Sequence, residues 1–152
     1  MDYLVPHVHA VHVARTTKFT HIFEAKTPST NGGPWVTLDL SRSGSKETLR
    51  ARAYSTSGAP DIASTDLAPL RDKWISVECT LTIGSSGAAR FVAHNGTDAS
   101  AKVVADGQLS HVYIPDQGDH VRPKWGVYRS VESASSDIID TYSTGLSHQL
   151  AV

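Results

Sequence analysis

Short segments in which apolar and polar side chains alternate recur along the chain, and this period of two constrains the fold most. The pattern is clearest at residues 35–40, 48–54 and 74–83. In the last of these, one parity holds Ile75, Val77, Cys79, Leu81 and Ile83. Successive side chains of a strand point to opposite faces, so each segment predicts a strand with one face in a core. The same reading predicts strands at residues 5–13, 18–26, 90–94, 102–105, 122–130 and 137–150.

Turn-forming sequences separate these segments at short intervals. They include Asn31-Gly-Gly-Pro, Ser57-Gly-Ala-Pro, Gly84-Ser-Ser-Gly and Asn95-Gly. Residues 106–120 are predicted to form a longer loop or extended crossing, and residues 62–70 at most a short helical turn. Many short strands with Gly/Pro turns favour an all-β sandwich of two antiparallel sheets.

Length and charge limit the classes of function. A chain of 152 residues predicts one domain, and a formal net charge of -1 gives no overall attraction to nucleic acid or an anionic membrane. The single Cys79 excludes an internal disulfide, and no apolar run reaches the length of a membrane span. Residues 1–10 lack the apolar stretch of a signal peptide. Neither nucleic acid nor a membrane is therefore an expected partner.

The strand at residues 122–130 has a face suited to an anionic ligand. Alternation places Arg122, Lys124, Gly126, Tyr128 and Ser130 on that face. Pro123, Trp125, Val127 and Arg129 share the other, which suits a core with Arg129 near its rim. Unpaired charges are costly to bury, so the face with two cations and a phenol is expected to be open to a ligand.

Two of the predicted strands resemble motifs of one enzyme family. Lys124-Trp-Gly-Val-Tyr-Arg129 resembles the Lys-x-Gly-x-Tyr strand of β-jelly-roll polysaccharide lyases, the alginate-lyase and glucuronan-lyase type. Residues 19–26, Phe-Thr-His-Ile-Phe-Glu-Ala-Lys, resemble the strand Thr-His-x-x-Gln-x-Lys, which carries an active-site glutamine there. The resemblance covers residues 18–152 and leaves 1–17 as an atypical N-terminal segment.

The resemblance implies a concanavalin-like β-jelly-roll sandwich as a single domain over residues 1–152. Members of that family have further strands before the position of residue 19 and are usually secreted. The chain is therefore expected to correspond to the C-terminal part of such a domain and to act outside the cell, on an acidic polysaccharide.

The implied reaction is β-elimination at a uronic acid. Tyr128 takes the position of the catalytic tyrosine, and a neighbouring lysine favours its phenolate electrostatically. Lys124, Arg52, Lys26 and Arg122 are expected to bind carboxylates of the substrate. Glu24 stands where the family has glutamine, and an ionised glutamate cannot donate a hydrogen bond to a carboxylate.

One histidine is predicted to lie outside the site. Alternation groups His21 with Phe19, Phe23 and Ala25, an apolar set, which predicts a core or rim residue. Arg50 shares the face of Arg52 and Tyr54, which is consistent with a groove for a polyanion or with a solvated face.

No cofactor is expected. His7, His9 and His12 lack a completing carboxylate or thiolate, so the sequence disfavours zinc. Asp137 and Asp140 are candidates for a structural calcium site, with solvated loop aspartates as the alternative. Two other functions stay open: a non-catalytic carbohydrate-binding or lectin-like module on the same fold, and an inactive, truncated lyase. The sequence specifies neither the polymer nor the oligomeric state.

Overall fold

Most of the described residues lie in β-strands. The computed structural model describes residues 2–10, 19–28, 33–115, 118, 121–129, 141–143 and 147–149, with the backbone alone for the first and the last two ranges. The strands are β1 (Asp2–Ala10), β2 (Thr20–Lys26), β3 (Val36–Ser43), β4 (Lys46–Ala53), β5 (Asp61–Asp66), β6 (Trp74–Thr82), β7 (Gly84–Asn95), β8 (Lys102–Ile114), β9 (Arg122–Arg129), β10 (Thr141–Ser143) and β11 (Ser147–Gln149). A single 3-10 turn, Ala68–Leu70, is the helical element of the described residues.

The strands form two antiparallel sheets. The six-stranded sheet has the order β10-β1-β6-β7-β8, and β11 also pairs with β1. The five-stranded sheet has the order β5-β4-β3-β2-β9. One buried apolar cluster contains residues of both sheets, so the predicted all-β sandwich of two antiparallel sheets is confirmed. The jelly-roll topology stays a prediction.

The alternation read from the sequence places the core correctly in most strands. Leu38, Leu49 and Ala51 of the five-stranded sheet belong to the same buried cluster as Val77 and Phe91 of the six-stranded sheet. The opposite parity of β3 and β4 faces outward and carries Thr37, Asp39, Arg50 and Arg52. That outward face of the five-stranded sheet holds the candidate site.

Two predictions about the chain between these strands were wrong in part. Residues 106–114 are not a loop but belong to β8, which pairs with β7 along its length. Within β8, Gly107 is needed because β5 packs against it: a Cβ there would lie 2.0 Å from the carbonyl oxygen of Ile62. Residues 62–70 contain the predicted short helical turn, Ala68–Leu70, but most of strand β5 precedes it and was not predicted.

A buried tryptophan joins the two sheets. Trp35 is 1% exposed, and its Nε1 donates a hydrogen bond of 2.7 Å to the carbonyl oxygen of Pro115, just after β8. A buried indole N–H needs such a partner, so this bond fixes the start of β3 against the end of β8. No helix in the described part of the chain is long and apolar enough to span a membrane.

Candidate active site

An irregularity in the middle of β2 determines which side chains face outward. In the pairing with β3, His21 lies opposite Asp39 and Phe23 opposite Leu38, so Ile22 is an extra residue on β2. In the pairing with β9, His21 lies opposite Tyr128 and Phe23 opposite Trp125, so two residues of β9 lie opposite Ile22. One of those two is Gly126, with φ of 125°, a backbone conformation that favours glycine. Such a β-bulge redirects the side chains around it.

The bulge overturns the predicted orientation of His21. Strict alternation grouped it with Phe23 and Ala25, and both of these are buried in the core. Because Ile22 is inserted, His21 instead shares the outward face with Glu24, three positions along the strand, and with Asp39 on β3. The predicted common face of His21 with Phe23 and Ala25 was therefore wrong, whereas its burial was predicted correctly, since His21 is 7% exposed and stacks on Phe19.

A pocket of about 300 Å³ lies over this part of the sheet. Its lining comes from β2 and β9 alone: His21, Phe23, Glu24, Lys26, Lys124, Trp125, Gly126, Val127 and Tyr128. Four of the residues selected from the sequence are therefore brought together, namely Tyr128, Glu24, Lys124 and Lys26. Tyr128 is 60% exposed, so its phenol is accessible to a ligand from solvent.

The other two selected residues lie beside the pocket. Arg122 is exposed and directly opposite Lys26 in the β2–β9 pair. Arg52 lies on β4, which β3 and β2 separate from β9, and its Nε donates a hydrogen bond of 2.7 Å to Asp39 Oδ2. Its guanidinium also donates to the Tyr54 hydroxyl at 3.1 Å and lies over that ring. Direct contact between Arg52 and a substrate stays a prediction.

Asp39 on β3 contacts His21 and two arginines beside the pocket, and it was not selected from the sequence. Its side chain is almost fully buried, and its Oδ1 lies 2.6 Å from Nδ1 of His21. Arg50 Nε is 3.7 Å from its other oxygen, which Arg52 already holds. Burial raises the pKa of Asp39, but the hydrogen bond and charge of His21 and the charge of Arg52 outweigh it, so the pKa of the carboxyl is lowered.

The contact with Asp39 also sets the state of the imidazole. An ionised carboxylate can only accept, so Nδ1 of His21 carries the proton and donates it. In the neutral ring, Nε2 is then the nitrogen with a free lone pair. Because His21 lines the pocket, this arrangement is suited to removing a proton from a bound ligand.

Aromatic rings enclose the imidazole. The ring of Phe19 stacks on that of His21 with centroids 4.7 Å apart. Tyr128 completes the group, with its ring centroid 5.3 Å from Phe19 and 6.1 Å from His21. The imidazole therefore lies beside a phenol, and the ring of Phe19 shields one of its faces from water.

Glu24 forms an ion pair with the lysine opposite it. Its Oε1 is 3.1 Å from Nζ of Lys124, and its side chain is only 11% exposed. The pairing fits the register, because the two residues are direct partners across β2 and β9. The position expected to hold glutamine is thus occupied by a carboxylate that neutralises the nearest cation.

One further orientation differs from the prediction. Val127 was placed on the core face with Trp125, but it is 42% exposed and lines the pocket. Trp125 does pack inward, stacking on Phe23 with ring centroids 4.1 Å apart. The irregular pairing opposite Ile22 turns the edge strand away from the core just after Trp125, which explains the difference.

Metal sites find no support among the described residues, where no three His, Cys, Asp or Glu side chains are grouped to hold an ion. The calcium candidates Asp137 and Asp140, and His12, lie outside the described residues. The side chains of His7 and His9 are likewise not described.

Comparisons with protein-family models, with curated proteins and with solved structures found no match to this chain.

Proposed function

We propose that the chain is a polysaccharide lyase that cleaves a uronate-containing polymer by β-elimination. The observation that carries the proposal is the placement of His21 beside Tyr128 across the β2–β9 pair, with Asp39 holding Nδ1 of the imidazole. The reaction needs a base to remove the proton next to the carboxylate and an acid to protonate the departing alkoxide. An open pocket that holds both groups meets this requirement. The concanavalin-like jelly-roll topology and an extracellular setting belong to the same proposal.

In the proposed reaction His21 is the base and Tyr128 the acid. Nε2 of His21 takes the proton from C5 of the uronate, and the electron pair of that C–H bond forms the C4–C5 double bond. The C4–O bond breaks as this happens, and the hydroxyl of Tyr128 transfers its proton to the departing glycosidic oxygen. Proton exchange with water then restores the imidazole and the phenol.

The pair of Glu24 and Lys124 sets the limit on the rate. Negative charge develops on the uronate carboxylate as C5 loses its proton, and a nearby cation or hydrogen-bond donor stabilises it. Lys124 is the pocket cation closest to this role, but Glu24 holds it at 3.1 Å. Replacing Glu24 by glutamine frees the lysine and adds an amide donor, so Glu24→Gln is expected to raise kcat.

The experiment follows the ultraviolet absorbance of the unsaturated product during incubation with glucuronan or alginate. Wild type is expected to produce it. Tyr128→Phe and His21→Gln are each expected to lower kcat by about 10²–10⁴-fold, the usual worth of a positioned acid or base. Tyr113→Phe is the matched control, because Tyr113 is also exposed and does not line the pocket. Full activity of Tyr128→Phe, or equal losses in the control, would reject the assignment.

The ion pair of Glu24 with Lys124 favours a second candidate, a carbohydrate-binding module without turnover. A neutralised lysine and an acceptor-only glutamate stabilise a carbanion poorly, yet the exposed Tyr128 can still contact a sugar. Retardation of wild type in a gel that contains the polymer, with no unsaturated product, would establish binding alone. Product formation rejects this candidate.

A further inference from the structure

We infer that Lys26 and Arg122 form a distal anion subsite, which binds the carboxylate of a sugar several residues away from the bond that is cleaved. The inference deepens the proposed function and rests on it for the location of the cleaved bond. It assigns the recognition of negative charge to the far end of the pocket rather than to the cations nearest Tyr128.

The pairing register supplies the main observation. Lys26 and Arg122 are direct partners across the antiparallel β2–β9 pair, so their side chains leave the sheet on the same face. Like charges at such positions repel each other and destabilise the pair. Among the described residues, neither cation forms an ion pair with a carboxylate, whereas Lys124 pairs with Glu24. Two adjacent cations of this kind favour an anion between them.

The remaining cations of this face are already matched by acidic side chains. Lys124 lies 3.1 Å from Glu24, and Arg52 lies 2.7 Å from Asp39. An incoming carboxylate would have to compete with these contacts. Lys26 lines the pocket and Arg122 is exposed beside it, so a ligand reaches both without breaking an existing ion pair.

The position along the strands sets the distance to the reacting groups. Lys26 is five positions from His21, and Arg122 is six from Tyr128. At about 3.3 Å per residue, shortened by the bulge, the subsite lies roughly 15–20 Å from the acid and base. A span of this length needs several sugar residues, so a short oligomer cannot occupy both ends.

The test measures the affinity of polyglucuronate oligomers of increasing length by calorimetry. Lys26→Gln with Arg122→Gln is expected to weaken hexamer binding by about tenfold, the loss expected for charge-assisted hydrogen bonds. Dimer binding is expected to change less than twofold. The control is Lys73→Gln with Lys102→Gln, two exposed lysines outside the pocket, which makes the same change in net charge. Circular dichroism confirms the fold of each variant.

Three outcomes decide the inference. Equal losses for dimer and hexamer would place the two cations next to the reacting groups and overturn it. The same tenfold loss in the control pair would show that net charge alone attracts the polymer, and would also overturn it. A wild type that forms no unsaturated product, but binds the hexamer with the predicted loss in the double variant, keeps the subsite and rejects the lyase reaction.

Discussion

Replacing Asp39 by asparagine tests the buried charge cluster beneath the pocket. The substitution keeps the shape of the side chain and removes the charge that His21, Arg52 and Arg50 share. Removing one partner of a buried ion pair commonly costs 3–5 kcal/mol. The side chains of Arg52 and Arg50 are 19% and 27% exposed and can regain some water, so the lower end applies, about 3 kcal/mol.

The pH dependence supplies a second readout of the same variant. The pKa of Asp39 is lowered in the folded protein, so its ionised form stabilises the fold above the unfolded value of 3.8. That stabilisation is lost as the pH falls through the lower, folded pKa. The difference in stability between wild type and Asp39→Asn is therefore expected to be constant above about pH 5 and to shrink below pH 4.

Urea unfolding followed by tryptophan fluorescence measures both quantities. At neutral pH the variant is expected to lose about 3 kcal/mol, or about 6–12 °C in Tm for a domain of this size. Asp61→Asn is the control, because Asp61 also faces Arg50, at 3.9 Å, but its side chain is 47% exposed. The control is expected to lose less than about 1 kcal/mol. A loss below 0.5 kcal/mol in Asp39→Asn, or an unchanged difference from pH 6 to pH 3, would refute the reasoning.

Three further predictions concern the backbone and the core. Gly107→Ala is expected to lower the free energy of unfolding in urea by about 2–3 kcal/mol, because its Cβ would meet the carbonyl oxygen of Ile62. The control Gly33→Ala, with open space around its Cβ, should change little. Equal effects would contradict the close packing of β5 on β8. Gly126→Ala is expected to cost about 1–3 kcal/mol through backbone strain alone, since no atom lies within 4 Å of the added Cβ, and a neutral result would contradict the bulge. Cys79 is buried with its pKa raised to about 12, so iodoacetamide should label it only as urea unfolds the chain; rapid labelling of the native protein would contradict its burial.

Regular strands were predictable because their alternation has a direct physical cause. In β3 and β4 one face packs against the opposing sheet, so Leu38 and Leu49 identify the core parity and Asp39 and Arg52 the outer one. The all-β sandwich follows from several such segments. The same reasoning placed Lys124 and Tyr128 on one face, and in the structure they lie opposite Glu24 and His21, the two residues of β2 that share the outward face.

The part of the site that was missed depends on pairing between distant strands. The inserted Ile22 is apolar and β-branched like a regular strand residue, so nothing local indicates the bulge that turns His21 outward. The residue in the sequence that could have indicated the bulge is Gly126, which lies opposite it on β9. Asp39 could have been noticed as a carboxylate on the outer face of its strand, but its contacts with His21 and Arg52 depend on how β3 pairs with β2 and β4.

The order of strands in the five-stranded sheet also determines when the pocket can form during synthesis. β2 gains one neighbour at once, because β3 follows it closely, but its other neighbour is β9. Roughly a hundred residues separate His21 from Tyr128, so contacts between them belong to the slow, non-local class. A ribosome-bound chain that has emerged only as far as β8 therefore has its imidazole and its buried aspartate without the phenol, and its β2 edge is open to other chains. Ligand binding at this pocket consequently begins only after β9 has left the ribosome and paired with β2.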